Sequence, residues 1–89
     1  MHEASLMYGL MAKLDFLARE QHAKRVKHVR VWLGVLSHFS AEHFREHFEH
    51  ASQGTVAENA TLEIVVSVDT ADPRAQDVVL ESIDVEVDG

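Results

Sequence analysis

Near the start of the chain Leu6, Leu10, Leu14 and Leu17 recur at spacings of four and three, with Met7, Met11 and Ala18 beside them. That is one apolar stripe, and it predicts a helix over about residues 4–22, with Ser5 or Glu3 as its cap. The pattern then changes period. In VKHVRVWLGVL, Val29, Val31, Leu33 and Val35 fall on one face and His28, Arg30 and Trp32 on the other. Alternation with β-branched residues is the mark of a half-buried strand. SAEHFREHFEHASQG predicts a second helix from about Ala41 to Gln53, with Ser40 as N-cap and Gly54 as its stop. Its core face is Phe44, Phe48 and Ala51, with Phe39 close by.

TLEIVVSV points Leu62, Ile64, Val66 and Val68 inward and predicts a second strand. DTADPRAQD, with the only proline, is turn-like. Ile83, Val85 and Val87 alternate with Ser82, Asp84 and Glu86 in a third strand. The preceding VVLE breaks that phase, which calls for a bulge or a late strand start near Glu81. The order α-β-α-β-β predicts an α+β fold, two helices packed on one face of a three-stranded sheet. The last two strands are expected to form an antiparallel hairpin. Residues 1–89 are expected to make a single domain, without repeats or linkers.

Composition narrows the function. At 89 residues the core is small and the stability modest. There is no cysteine, hence no disulfide and no thiolate metal site. No apolar run approaches the roughly 20 residues of a membrane span, and no secretory signal pattern is visible, so a cytoplasmic location is expected. The net charge of −7 is uneven: Arg74 alone faces nine acidic residues after position 57, where the earlier part is nearly balanced. An acidic chain without a basic stripe is a poor ligand for nucleic acid or an anionic membrane, and neither is expected as a partner.

No nucleophile has a hydrolase signature and no glycine-rich phosphate loop exists, so no enzyme is expected. What stands out is imidazole: all seven histidines lie within the first fifty residues. The terminal Met1-His2-Glu3 offers an α-amine, which ordinarily titrates at about 7.7–8.0 and so yields its proton to a metal. The amine, the backbone nitrogens of His2 and Glu3, and His2 Nδ1 can close a planar set of four nitrogens. Such a set suits Ni(II) or Cu(II) better than Zn(II). Glu3 can add a carboxylate oxygen or orient the imidazole. The simpler reading is a solvated terminus, and these residues alone do not exclude it. His43, His47 and His50 share one face of the second helix at i, i+4, i+7 and can grip an ion from adjacent turns. With Glu42, Glu46 and Glu49 they are more simply a solvated face. Trp32, on the outer strand face, calls for a covering loop or partner.

The terminal MHEASL, the strand VRVWLGVLS, the segment HFEHASQGTVAENATLEI and the closing ESIDVEVDG together resemble the HypA/HybF family of nickel metallochaperones. That family serves maturation of nickel–iron hydrogenase and, in some organisms, urease. The resemblance implies the same α-β-α-β-β domain, with nickel held by Met1 (amine), His2 (side chain and backbone) and Glu3 (mainly backbone). It implies delivery of Ni(II) by ligand exchange to a hydrogenase large subunit, with a HypB-like GTPase as collaborator. Family members carry a zinc module with two CxxC pairs between the last two strands; here that interval is VSVDTADPRAQDVVL, so no zinc is expected. The family's acidic residue after its G-x-x-S segment is replaced by Ser40, which leaves His38 as an additional ligand candidate. The alternative is a scaffold factor for hydrogenase assembly on the same fold, using the acidic hairpin and the Trp32 face. Oligomeric state is not legible.

Overall fold

The computed structural model describes the backbone of residues 2–87 and the side chains of residues 4–87. Two helices and three strands follow in the predicted order: α1 (His2–Glu20), β1 (Ala23–Leu33), α2 (Ala41–Ala51), β2 (Thr61–Val66) and β3 (Val78–Val87). The strands form one mixed sheet in the order β2-β1-β3.

β1 sits in the centre. It pairs parallel with β2 from His28↔Thr61 to Leu33↔Val66, and antiparallel with β3 from Ala23↔Val87 to Leu33↔Val78. This corrects the expected hairpin: β2 and β3 never touch as neighbours but flank β1 from opposite sides. The physical reason lies in β1, whose two edges each need a hydrogen-bonding partner. A parallel neighbour also requires a crossover, which α2 supplies between β1 and β2. The segment 67–77 therefore crosses the end of β1 instead of turning tightly.

That crossing is fastened to β1 by backbone bonds. Ser67 N–H donates to Leu33 O (2.9 Å), Gly34 N–H to Asp77 O (2.8 Å) and Leu36 N–H to Ala75 O (2.7 Å). Gly34 is required by the closeness of the passage, since a Cβ there would lie 2.2 Å from Ala75 O. The crossing also covers Trp32, which is only 9% exposed, and sets the Arg74 guanidinium 4.7 Å from its ring centroid. The outward tryptophan is thus covered from within the chain.

The inner face of β1 carries Val29, Val31 and Leu33, all at 0% exposure, against Met7, Leu14 and Ala18 of α1 and Phe44 and Phe48 of α2. Three register shifts keep the apolar residues on that face. One falls between Val26 and His28, which brings Val26 into the core although it is out of phase with Val29. Another lies where Arg30↔Ser82 gives way to Val31↔Leu80, which is the bulge expected at Glu81. The third lies between Ala23 and Arg25.

Three expected inward positions fail for a common reason. Val35 lies beyond β1 and is 37% exposed, while Val66 and Val68 are 46% and 88% exposed. The crossing segment ends the sheet at Leu33 and Val66, so alternation beyond that point no longer maps onto a face. On the outer face Arg30 donates to Glu63 Oε2 of β2 (2.7 Å) and Glu81 Oε1 of β3 (2.9 Å), tying three strands together. The hydrogen bond to Glu81, with the charge of Glu63, raises the Arg30 pKa. Arg25 donates to Glu86, which holds that carboxyl below its ordinary range. These pairs are exposed and add little to stability.

Candidate functional site at the helix-starting end

α1 and α2 begin at the same end of the molecule. α1 runs back along the sheet from His2, with Ser5, Leu6, Gly9 and Leu10 lining a cleft beside Val31, Val78 and Leu80. α2 leaves the loop after β1 and returns to the start of β2 beside His28. The C-terminal end of β1, the loop of residues 34–40 and both helix starts therefore share one region.

The backbone of His2 and Glu3, two of the expected nickel ligands, lies at this end. Met1 lies outside the described residues, as do the side chains of His2 and Glu3. The backbone begins α1 at His2. The first amides of any α-helix have no intrahelical acceptor, so the backbone nitrogens of His2 and Glu3 are not consumed by the helix ladder.

His38 stands in the loop at the same end. It is exposed and adopts φ 69°, the left-handed region that a non-glycine residue enters at a cost. Its neighbour Ser37 is buried, with a hydroxyl that has no hydrogen-bond partner among the described residues. Phe39 anchors the far side of the loop by an edge-on contact with Phe44, ring centroids 5.7 Å apart. Ser40 then caps α2, its Oγ accepting from His43 N–H at 3.1 Å.

The six histidines with described side chains do not converge into one cluster. Among the described residues no group of three or more His, Cys, Asp or Glu side chains is arranged to hold a metal. His28 is on the outer sheet face, its Nδ1 2.6 Å from Thr61 Oγ1 and its Nε2 3.3 Å from Glu63. His22 lies at the opposite end, in the turn into β1 at φ 53°. His43, His47 and His50 are exposed on α2, as their spacing predicted. The sequence reading missed a groove of about 740 Å³ between the helices, lined by Ala4, Met7, Tyr8 and Met11 of α1 with His47 and His50 of α2. The missed signal is Tyr8, which breaks the stripe and stands 81% exposed.

Residues 1–72 match the family described as hydrogenase/urease nickel incorporation, metallochaperone, hypA. The chain belongs to that family, whose description is of a metallochaperone and not of an enzyme.

Hydrogenase maturation factor HypA of Rhizobium leguminosarum bv. viciae is 45% identical over 64 residues, covering 72% of this chain and 57% of that protein. The factor of the same name from Archaeoglobus fulgidus is 42% identical over 74 residues, 83% of this chain and 66% of that protein. The matched part is thus less than two thirds of either relative. The solution structure of the nickel metallochaperone HypA from Helicobacter pylori superposes with a TM-score of 0.81 at 18% identity, over 97% of this chain and 98% of that one. A second solution structure of a HypA protein gives 0.78 at 20% identity, over 99% of this chain and 98% of that one. At such identities these two show the fold, including the mixed sheet.

Proposed function

We propose that residues 1–89 form one nickel-handling domain that acts in the cytoplasm during hydrogenase maturation. Ni(II) is its cargo. It is held by the α-amine of Met1, the backbone nitrogens of His2 and Glu3 and the imidazole of His2, and no zinc takes part. The observation that carries this reading is the family match across residues 1–72, which takes in the Met1-His2-Glu3 start. The start of α1 at His2 adds support, because it leaves the required amides without helical partners.

A planar four-nitrogen ion is open above and below. Incoming thiolates of a hydrogenase large subunit would displace the nitrogens one by one, the amine and the two backbone nitrogens each taking back the proton lost on binding while the imidazole leaves as the neutral ring. The HypB-like GTPase is the proposed collaborator in loading. His38, exposed on a strained loop at the same end, is the additional ligand in this proposal. Amine and imidazole must shed or lack a proton to bind, so affinity falls as pH is lowered.

The test is Ni(II) titration into the untagged chain and into His2→Gln, followed by the absorbance of planar nickel. Glutamine is chosen because a bulky second residue favours retention of Met1. A planar signal in the parent chain and its loss in His2→Gln is the expected result; equal signals in both overturn the terminal site. The scaffold alternative drew on an acidic hairpin and an available Trp32 face. β2 and β3 do not form a hairpin and Trp32 is covered by the crossing segment, so neither surface exists in that form.

A further inference from the structure

Two imidazoles on α2 are placed as a chelate. His43 and His47 stand one turn apart, their ring centroids 6.0 Å from each other and their planes at 68°. An ion bonded at about 2.1 Å to one nitrogen of each ring needs centroids roughly 4.6–5.3 Å apart, so the rings must close by about 1 Å, within reach of side-chain rotation. Neither ring has a hydrogen-bond partner among the described residues, whereas both ring nitrogens of His28 are engaged. The backbone that presents them is held on the opposite face by Phe44 and Phe48, at 0% and 1% exposure, and at its start by the Ser40 cap.

Position adds to geometry. α2 starts at the end of the fold where α1 starts, and Ala4 of α1 lines the same groove as His47.

We propose that His43 and His47 form a second, open site for a borderline divalent ion of the Ni(II) kind, beside the terminal site, and that this pair feeds nickel to it. The binding stands on the helix geometry alone; the feeding role rests on the terminal-site reading. Two neutral imidazoles replace two waters of the hydrated ion and leave its other positions to water, so exchange is fast and the ion is not trapped. A waiting position needs that lability. His50 lies in the groove beyond His47 but makes no ring contact with it among the described residues, and it is not part of the pair.

The experiment uses nickel chloride and the full chain carrying His2→Gln, which disables the terminal chelate. Equilibrium dialysis is expected to show one ion per chain. Adding His43→Ala or His47→Ala is expected to weaken binding about tenfold or more, each alone as much as both together, because a chelate needs both rings. Adding His50→Ala leaves the affinity within about twofold. Alanine is a better helix former than histidine, so α2 persists in these variants, and circular dichroism checks it.

If His43→Ala and His47→Ala each leave binding unchanged, or if His50→Ala removes it, the site is wrong. The feeding role is read separately, in the chain with His2 restored. The planar signal is expected to appear at least several-fold more slowly in His43→Ala/His47→Ala, and an unchanged rate overturns the role. Failure of the terminal reading is distinguishable, for it removes the planar signal from the parent chain while leaving the dialysis result intact.

Discussion

Along α2 every charged or histidine side chain from Glu42 to His50 is exposed, while Phe44 and Phe48 are buried. α1 buries Met7, Leu14 and Ala18 yet leaves Tyr8 and Phe16 exposed at 81% and 58%. α2 is thus specified by its own residues: a capping serine, a two-phenylalanine stripe, and Gly54 at φ 78° just after it. α1 is apolar on more than one side, so its orientation is set by what it packs against. Its inward contacts are the sheet and α2, and its outward aromatics remain available.

The sharpest way to break this contrast is to truncate one phenylalanine on each helix. Phe48→Ala empties a fully enclosed site and should destabilise the chain by about 3–5 kcal/mol. Phe16→Ala removes an exposed ring and should change stability by no more than about 0.5 kcal/mol. Urea unfolding read by circular dichroism measures both. If Phe16→Ala costs as much as Phe48→Ala, α1 has a buried outer face and the comparison fails. Leu14→Ala, at a residue of 0% exposure, tests the inward face of α1 and should cost about 2–5 kcal/mol. A loss below about 1 kcal/mol would mean that α1 is only loosely held.

The two helices also differ in how readable their surroundings are. α2 was legible because its signals are local: Ser40, Phe44, Phe48 and Gly54 lie within fifteen residues. The bulge at Glu81 was legible as a break of phase within β3 itself. The strand order was not, because the alternation of Leu62 and Ile64 or of Ile83 and Val85 shows which side is apolar but not which neighbour shares the backbone bonds. Val66 and Val68 misled for a related reason, since they keep the period after the sheet has ended. The bulge in β1 was not anticipated, although the three-residue step from Val26 to Val29 marks it. At the site, Met1-His2-Glu3 was legible only as a motif, whereas the placing of His38 and His43 at one end depends on the direction of both helices.

Capping offers a smaller, more local test. Ser40 Oγ accepts from His43 N–H, so Ser40→Ala leaves a first-turn amide without its partner and should cost about 1 kcal/mol. The loss should be localised to the first turn of α2, visible as faster amide exchange from Glu42 to Arg45. Ser40→Asp should retain the stability, because a carboxylate caps as well and favours the helix dipole. Were Ser40→Ala neutral, α2 would be held by its phenylalanines alone.

Gly9 gives the smallest effect and the opposite sign. It sits inside α1, and a Cβ built there would meet nothing within 4 Å. No turn, close approach or positive φ of the chain calls for glycine at this position, in contrast to Gly34 against Ala75 and to Gly54 at φ 78°. Glycine in a helix interior is less favourable than alanine by about 0.8–1 kcal/mol, so Gly9→Ala should raise stability by up to that amount. Gly34→Ala should lower it, which separates helix propensity from a general tolerance of alanine. If Gly9→Ala fails to stabilise, the cleft beside Val31, Val78 and Leu80 is closing on the helix there, and α1 is packed more tightly along its sheet side than its open outer aromatics suggest.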